Sequence, residues 1–152
     1  MKLTYTSLAC PAWTIEEAVS AAESYGYAAI EWRLADGAVI GPDAPADVRR
    51  RLREVPAAHG VEVACLDSSC RVVQGEPKER AATIEAGQRM LDLAAEVGAP
   101  FLRVFGGELP ANTTRCHFPY IFGASSSISE RGAIAYSTYI RVDYTYHHKY
   151  LG

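Results

Sequence analysis

Four charged side chains lie at the ends of short apolar segments, where acidic and basic groups can meet. Glu31 and Arg33 close the segment YAAIEWR, Asp67 closes VEVACLD, and Arg103 lies in APFLRVF. Because side chains alternate between the two faces of a strand, Glu31 and Arg33 share one face. These four residues predict either a functional site built on adjacent strand ends or a buried salt-bridge cluster with no chemistry.

A second group of chemically capable residues lies near the end of the chain. Cys116, His117, His147 and His148 are of the types that bind zinc. A Cys-His pair followed far along the chain by a His-His pair is not a familiar zinc spacing. A metal-binding module is therefore only one of three interpretations of residues 111–152.

The elements that position the charged residues follow a repeat of helix, glycine and short apolar strand. Thr14 and Glu17 form a predicted capping box at the first helix. Gly26, Gly60 and Gly98 close the three helices, and their spacing is that of one βα unit. With the strand LTYTSLA in front, the order is β-α-β-α-β-α-β, which predicts a parallel sheet.

The sequence also predicts the local structure at two positions, Tyr25 and Pro45. Tyr25 is expected on the buried face of the first helix, together with Ala18, Val19 and Ala22. Pro45 is expected as the first residue of the second helix, because a proline there lacks only an N–H that would be unpaired anyway.

The fold class predicted is α/β, with the parallel units of a (β/α)8 barrel, about four of the eight, followed by an unrelated C-terminal tail. An open doubly wound sheet would show the same repeat. The charged strand ends favour the barrel, whose sites lie at the C-terminal ends of the strands. The first loop, ACPAWT, also lacks the glycine pattern of a nucleotide-binding fold.

A change of composition predicts two domains, residues 1–110 and 111–152. The first holds 16 of the 18 acidic and 11 of the 15 basic side chains, a net charge of −5 against +2 for the rest. The second holds six of the nine tyrosines and a segment, AIAYSTYIRVDYTY, that alternates as a strand does. It is interpreted as out-of-frame or foreign sequence, as an extension covering the open sheet edge, or as the metal-binding module.

Charge, hydropathy and cysteine content limit the partners. The net charge of −3 and the lack of a broad basic surface argue against nucleic acid. The sequence has no apolar run of membrane-spanning length and no signal-peptide pattern. Four cysteines without CxxC spacing fit a reducing compartment, so we expect a cytoplasmic protein without a membrane partner.

Three motifs in order carry a family resemblance over residues 1–110: TSLACPAWTIEEAVSAAESYGYAAIEWR, VEVACLDSSCRV and RVFGGELP. They resemble the sugar phosphate isomerase/epimerase family, the xylose isomerase-like barrels. The resemblance implies an enzyme acting on a small sugar or sugar phosphate through metal-assisted proton transfer next to a carbonyl. It also implies substrate-binding roles for residues at matching positions: Trp13, Glu31, Arg33, Asp67 and Arg103.

The resemblance further implies a divalent metal, Mn, Mg, Co or Zn. Its ligands in the family are mostly Glu, Asp, His and Glu at the ends of the later strands, and this chain has no residues at those positions. We therefore assign no metal ligand and no catalytic residue, and expect the chain to bind no metal and to be inactive alone.

The sequence is also compatible with other functions. Metal-dependent apurinic endonucleases share the fold but take histidine ligands from the third and fourth strands, where this chain has none. The chain could be a half-barrel that forms a complete barrel as a homodimer, or a non-catalytic remnant. Because the first and fourth strands would have unpaired edges, we expect self-association through them.

Overall fold

The computed structural model describes residues 2–71 and 77–106, and the backbone of 137–141. In chain order, the strands and helices are β1 (Thr4–Thr6), α1 (Ile15–Tyr25), β2 (Ala29–Trp32), β3 (Leu34–Ala35), β4 (Ala38–Val39), α2 (Ala46–Ala58), β5 (Glu62–Arg71), α3 (Pro77–Val97), β6 (Phe101–Phe105) and β7 (Ser137–Arg141). A short 3-10 turn, Ser7–Ala9, follows β1.

The main sheet has the strand order β1-β2-β5-β6-β7. Its first four strands are parallel, each joined to the next through a helix. The predicted α/β class with parallel barrel units is thereby confirmed. Four parallel strands with helical crossovers make up half of the eight that a complete (β/α)8 barrel contains.

The core lies between one face of this sheet and the three helices. Strand side chains Ile30, Trp32, Leu66, Leu102 and Val104 are fully buried there. They pack with the apolar faces of α1, α2 and α3, among them Ile15, Val19, Leu52, Leu93 and Val97. The opposite sheet face is left for the charged residues. None of the helices in the described ranges has the length and apolarity needed to cross a bilayer.

The ends of α1 are set locally, as the sequence predicts. Thr14 Oγ1 accepts a hydrogen bond from the Glu17 backbone N–H at 3.2 Å, and a Glu17 carboxylate oxygen accepts one from the Thr14 N–H at 2.8 Å. The capping box is confirmed. Gly26 ends the helix with a φ of 73°, a left-handed conformation that side chains with a Cβ rarely adopt.

Two local expectations are wrong. Tyr25 is 76% exposed, because α1 turns its last residue away from the sheet. Pro45 lies one position earlier than expected: it is the N-cap of α2, with an extended ψ of 147° and no side-chain cap.

One element was not predicted. A small antiparallel hairpin, β3 with β4, follows β2 and turns at Asp36 and Gly37, whose φ angles are 53° and 78°. Asp36 Oδ1 accepts a hydrogen bond from the Ile15 N–H at 3.2 Å, and Arg51 Nη1 donates to Asp36 Oδ2 at 2.6 Å. The hairpin therefore ties the first turn of α1 to α2.

The edge of the fourth parallel strand is occupied, which corrects the expectation that it is open. β7 pairs antiparallel with β6 over five residues, from Phe101 opposite Arg141 to Phe105 opposite Ser137. This strand falls within the segment whose alternation predicts one. Cys116, His117, His147 and His148 lie outside the described residues, and the boundary at 110 stays a prediction.

Candidate functional site

Three adjacent strands bring charged side chains to one face of the sheet. Glu31 lies on β2, Asp67 on β5 and Arg103 on β6, with Glu31 opposite Cys65 and Asp67 opposite Arg103. β5 continues past Asp67 to Arg71, with a shift of register between these two residues. The side chains therefore meet near the carboxyl ends of β2 and β6, which is where barrel enzymes place their sites.

Arg103 lies between the two carboxyl groups. Its Nη2 is 2.8 Å from Asp67 Oδ2, and its Nη1 is 3.4 Å from Glu31 Oε1. The Asp67 side chain is fully buried, and those of Glu31 and Arg103 are each 15% exposed. The guanidinium also lies 5.5 Å from the centre of the Phe105 ring, a cation–π distance.

The two carboxyl groups share a site that disfavours two negative charges. Burial, and then the charge of Glu31, raise the pKa of Asp67 to about 7, although Arg103 acts in the opposite direction. A hydrogen bond between the Asp67 and Glu31 side chains adds to the increase. The raised pKa favours the neutral form of Asp67, which lowers the negative charge beside the Arg103 guanidinium.

Cys65 completes the same face but is not a reactive thiolate. Its Sγ lies 3.9 Å from Asp67 Oδ1. Burial, and then the charges of Asp67 and Glu31, raise the pKa of the thiol to about 12. At neutral pH this sulfur is therefore protonated, and a nucleophilic role does not fit its surroundings.

Arg33 joins the cluster from just past the end of β2. Its Nη1 donates to the Asp67 carbonyl oxygen at 3.3 Å and its Nη2 to Ser69 Oγ at 2.7 Å. Its backbone is fixed by Ser7, whose Oγ accepts hydrogen bonds from the N–H groups of Arg33 and Leu34 at 2.8 and 2.9 Å. The structure thus brings together Glu31, Arg33, Asp67 and Arg103.

Trp13 is the fifth predicted residue. It lies in the loop between β1 and α1, where it is 37% exposed, and its backbone N–H donates to the Cys10 carbonyl at 3.1 Å. Leu8, in the same loop, is 45% exposed. A role for Trp13 as an apolar pocket wall stays a prediction.

Three supporting residues were not predicted as part of the site. Ser7 and Ser68 are buried serines that bond to the backbone of neighbouring strands: Ser68 Oγ donates to the Arg103 carbonyl at 2.8 Å and accepts from the Cys70 N–H at 3.2 Å. Nothing in the sequence spacing of these two serines indicates that they support the site. Cys65 could have been found, because strand alternation places it on the face of Asp67.

Glu31, Cys65 and Asp67 are a candidate metal-binding group, since their ligand atoms all lie within 4.8 Å of one another. The divalent metal that the resemblance implies does not fit them as they stand. The guanidinium of Arg103 already contacts both carboxyl groups, and the third donor is a protonated thiol. A doubly charged ion would have to share this space with a permanently charged arginine.

Comparison with known proteins defines the class. Residues 19–120 match the sequence profile of the xylose isomerase-like TIM barrels. The match covers more than half of the chain, which therefore belongs to this family. No curated protein sequence shows significant similarity to the chain.

Solved structures agree with the fold. A protein of Sinorhizobium meliloti 1021 is 25% identical, with a TM-score of 0.55 over 73% of this chain and 38% of that one. A probable 3-DHS dehydratase of petrobactin synthesis from Bacillus anthracis is 17% identical, with a TM-score of 0.54 over 71% of this chain and 39% of that one.

A third match is a fusion of a xylose isomerase-like TIM barrel with a 4-hydroxyphenylpyruvate dioxygenase. It is 18% identical, with a TM-score of 0.53 over 65% of this chain and 15% of that one. The chain thus corresponds to well under half the length of each of these three proteins.

Proposed function

We propose that this chain supplies substrate-binding residues of a sugar or sugar-phosphate isomerase or epimerase, whose reaction is metal-assisted proton transfer next to a carbonyl. The observation that carries the proposal is the contact of Arg103 with both Glu31 and Asp67 on adjacent parallel strands. Membership in the xylose isomerase-like TIM barrels supports the substrate class, because xylose is a small sugar. Trp13 and Arg33 complete the proposed substrate-binding set.

The cluster offers the donors and acceptors that a polyhydroxylated substrate needs. Carboxyl oxygens accept hydrogen bonds from sugar hydroxyl groups, and a guanidinium donates them. The side chains of Glu31 and Arg103 are each 15% exposed, so part of each can contact a substrate oxygen. Arg33, which is only partly buried, adds a second guanidinium, and a planar guanidinium suits phosphate oxygens.

The activity of the isolated chain is a separate part of the proposal. The described cluster does not fit a divalent metal, and the family resemblance locates the metal ligands on later strands. We therefore propose that the chain by itself binds sugars weakly and does not turn them over. We also propose a cytoplasmic location, which the free thiols of Cys10, Cys65 and Cys70 support.

Ligand-observed NMR tests the binding. Saturation transfer is measured to a ketopentose, a ketohexose and their phosphates, with the wild-type chain and with Arg33→Met. The expected result is binding to at least one ligand, weakened about tenfold or more by Arg33→Met, the loss expected for a charge-assisted contact. Arg53→Met, an exposed arginine on α2, is the matched control and should bind as the wild type does.

Two results would contradict the proposal. One is no saturation transfer to any of these sugars, and the other is equal binding by the wild type and a folded Arg33→Met variant. The inactivity of the chain is tested separately by incubation with the same sugars and Mn²⁺ in D₂O. Deuterium appearing at the carbon next to the carbonyl would show that the chain alone is active.

A further inference from the structure

We infer that Arg103 is the resident cation of the Glu31, Cys65 and Asp67 group, and that it excludes divalent metal ions from a set of donors otherwise able to bind one. The inference concerns the cation held by this group and does not depend on which substrate the protein binds. The Glu31, Cys65 and Asp67 group then does not hold the divalent metal that the family resemblance implies.

The donor set is close to the size of a small-ion site, and a slight contraction would bring all three ligand atoms onto one ion. Zinc-type ions bind carboxylate oxygen at about 2.0–2.2 Å and thiolate sulfur at about 2.3 Å, so donors on one ion lie within roughly 4.6 Å of each other. The ligand atoms of Glu31, Cys65 and Asp67 lie within 4.8 Å of one another. Cys65 is 3% exposed and Asp67 is fully buried, and both are on β5, so the spacing is held by the sheet.

The guanidinium already contacts both carboxyl groups that an ion would need as ligands. It contacts Asp67 at 2.8 Å and Glu31 at 3.4 Å, and the Phe105 ring lies 5.5 Å from its central carbon. Arginine does not lose its proton inside proteins, so the positive charge is permanent. An incoming divalent ion would be repelled by this charge and would have to displace it from both carboxyl groups.

Cys65 is the donor that would report a bound ion. Its Sγ lies 3.9 Å from Asp67 Oδ1, and a soft, zinc-type ion would bind it as a thiolate. Removal of the guanidinium leaves two acidic groups and a sulfur without their cation. A divalent ion of the zinc type can then replace the arginine charge and stabilise the thiolate.

Titration with Co²⁺ tests the inference, because cobalt bound by thiolate gives a charge-transfer band in the near ultraviolet. We expect no band with the wild-type chain and one equivalent of bound Co²⁺, with the band, for Arg103→Met. The double variant Arg103→Met/Cys65→Ser should lose the band and bind at least tenfold more weakly. Arg33→Met removes the neighbouring guanidinium but leaves Arg103 in place, so like the wild type it should bind no Co²⁺ and give no band.

The wild-type measurement keeps the inference falsifiable even if Arg103→Met fails to fold. One equivalent of Co²⁺ bound by the wild type, with a thiolate band that Cys65→Ser abolishes, would overturn it. A folded Arg103→Met chain that binds no Co²⁺ would overturn it too. Arg103→Gln, which keeps a polar but uncharged side chain, is the second variant. It too should bind one equivalent of Co²⁺ and give the band.

Discussion

The side-chain oxygen of Ser7 accepts a hydrogen bond from the backbone N–H of Arg33 at 2.8 Å, so the turn after β1 fixes the point where the chain leaves β2. The same oxygen accepts a second bond from the Leu34 N–H. Ser7 is 3% exposed, and water cannot easily replace it. It therefore positions the Arg33 guanidinium over β5 without touching it.

Ser7→Ala should lower the free energy of unfolding by about 1–3 kcal/mol, because it leaves the partly buried N–H groups of Arg33 and Leu34 without their acceptor. Urea unfolding followed by circular dichroism measures the change. Ser24→Ala, an exposed substitution on α1, is the control and should change stability by less than about 0.5 kcal/mol. A Ser7→Ala chain as stable as this control would show that the Arg33 and Leu34 N–H groups find other hydrogen-bond acceptors.

The stability of the chain should depend on Asp67 between about pH 4 and pH 7. Its pKa is about 7 in the folded chain and 3.8 ordinarily, so the folded state holds a proton that the unfolded state has lost. The contribution of this group is complete below pH 4 and is lost as the pH rises through 7. Its size is on the order of a few kcal/mol.

Asp67→Asn provides the measurement, since an amide is a neutral substitute for the protonated acid. Urea unfolding from pH 4 to pH 8 should show a smaller loss of stability with rising pH than the wild type shows. Asp47→Asn on the exposed side of α2 should keep the wild-type dependence. Equal slopes for Asp67→Asn and the wild type would mean that Asp67 does not hold the proton.

Thr14→Ala removes half of the capping box and should destabilise the chain by about 1 kcal/mol. The reason is the loss of the acceptor for the Glu17 N–H in the first turn of α1. The midpoint of urea unfolding reports the change. Ser20→Ala, in the middle of the exposed face of the same helix, is the comparison, and an equal effect of both changes would argue against the cap.

β7 should limit association through the edge of β6. Tyr139 lies opposite Arg103 in the pairing, and Tyr139→Pro removes a backbone N–H and disrupts the strand. Sedimentation at tens of micromolar should then show more dimers or larger species than the wild type forms. Tyr139→Val keeps a residue suited to strands and should sediment like the wild type. If Tyr139→Pro sediments like the wild type, β7 does not limit association through the edge of β6.

The sequence is sufficient for features that depend on short-range chemistry. The Thr14 and Glu17 cap involves residues three positions apart, and the glycine at position 26 follows from the need for a positive φ. The meeting of Glu31, Asp67 and Arg103 also follows from local rules. Parallel strands joined by helices must end at the same side of the sheet.

The remaining features depend on contacts between distant parts of the chain. Ser7 and Arg33 are far apart in sequence, and no sequence pattern predicts that a serine in the turn after one strand will bond to the end of another. The role of Arg103 between two carboxyl groups depends on a strand register that alternation alone does not fix. The hairpin at Asp36 and Gly37 is different: an Asp-Gly pair is a strong turn signal, and it could have been predicted.

The antiparallel pairing of β7 also has a kinetic consequence for any larger assembly. A parallel strand from a second copy, or from a separate half-barrel, can reach β6 only after the five-residue pairing with β7 has opened. Completion of a barrel on this sheet is then a strand exchange. Its rate is limited by a first-order opening step within the chain, and so becomes independent of partner concentration once the partner is abundant.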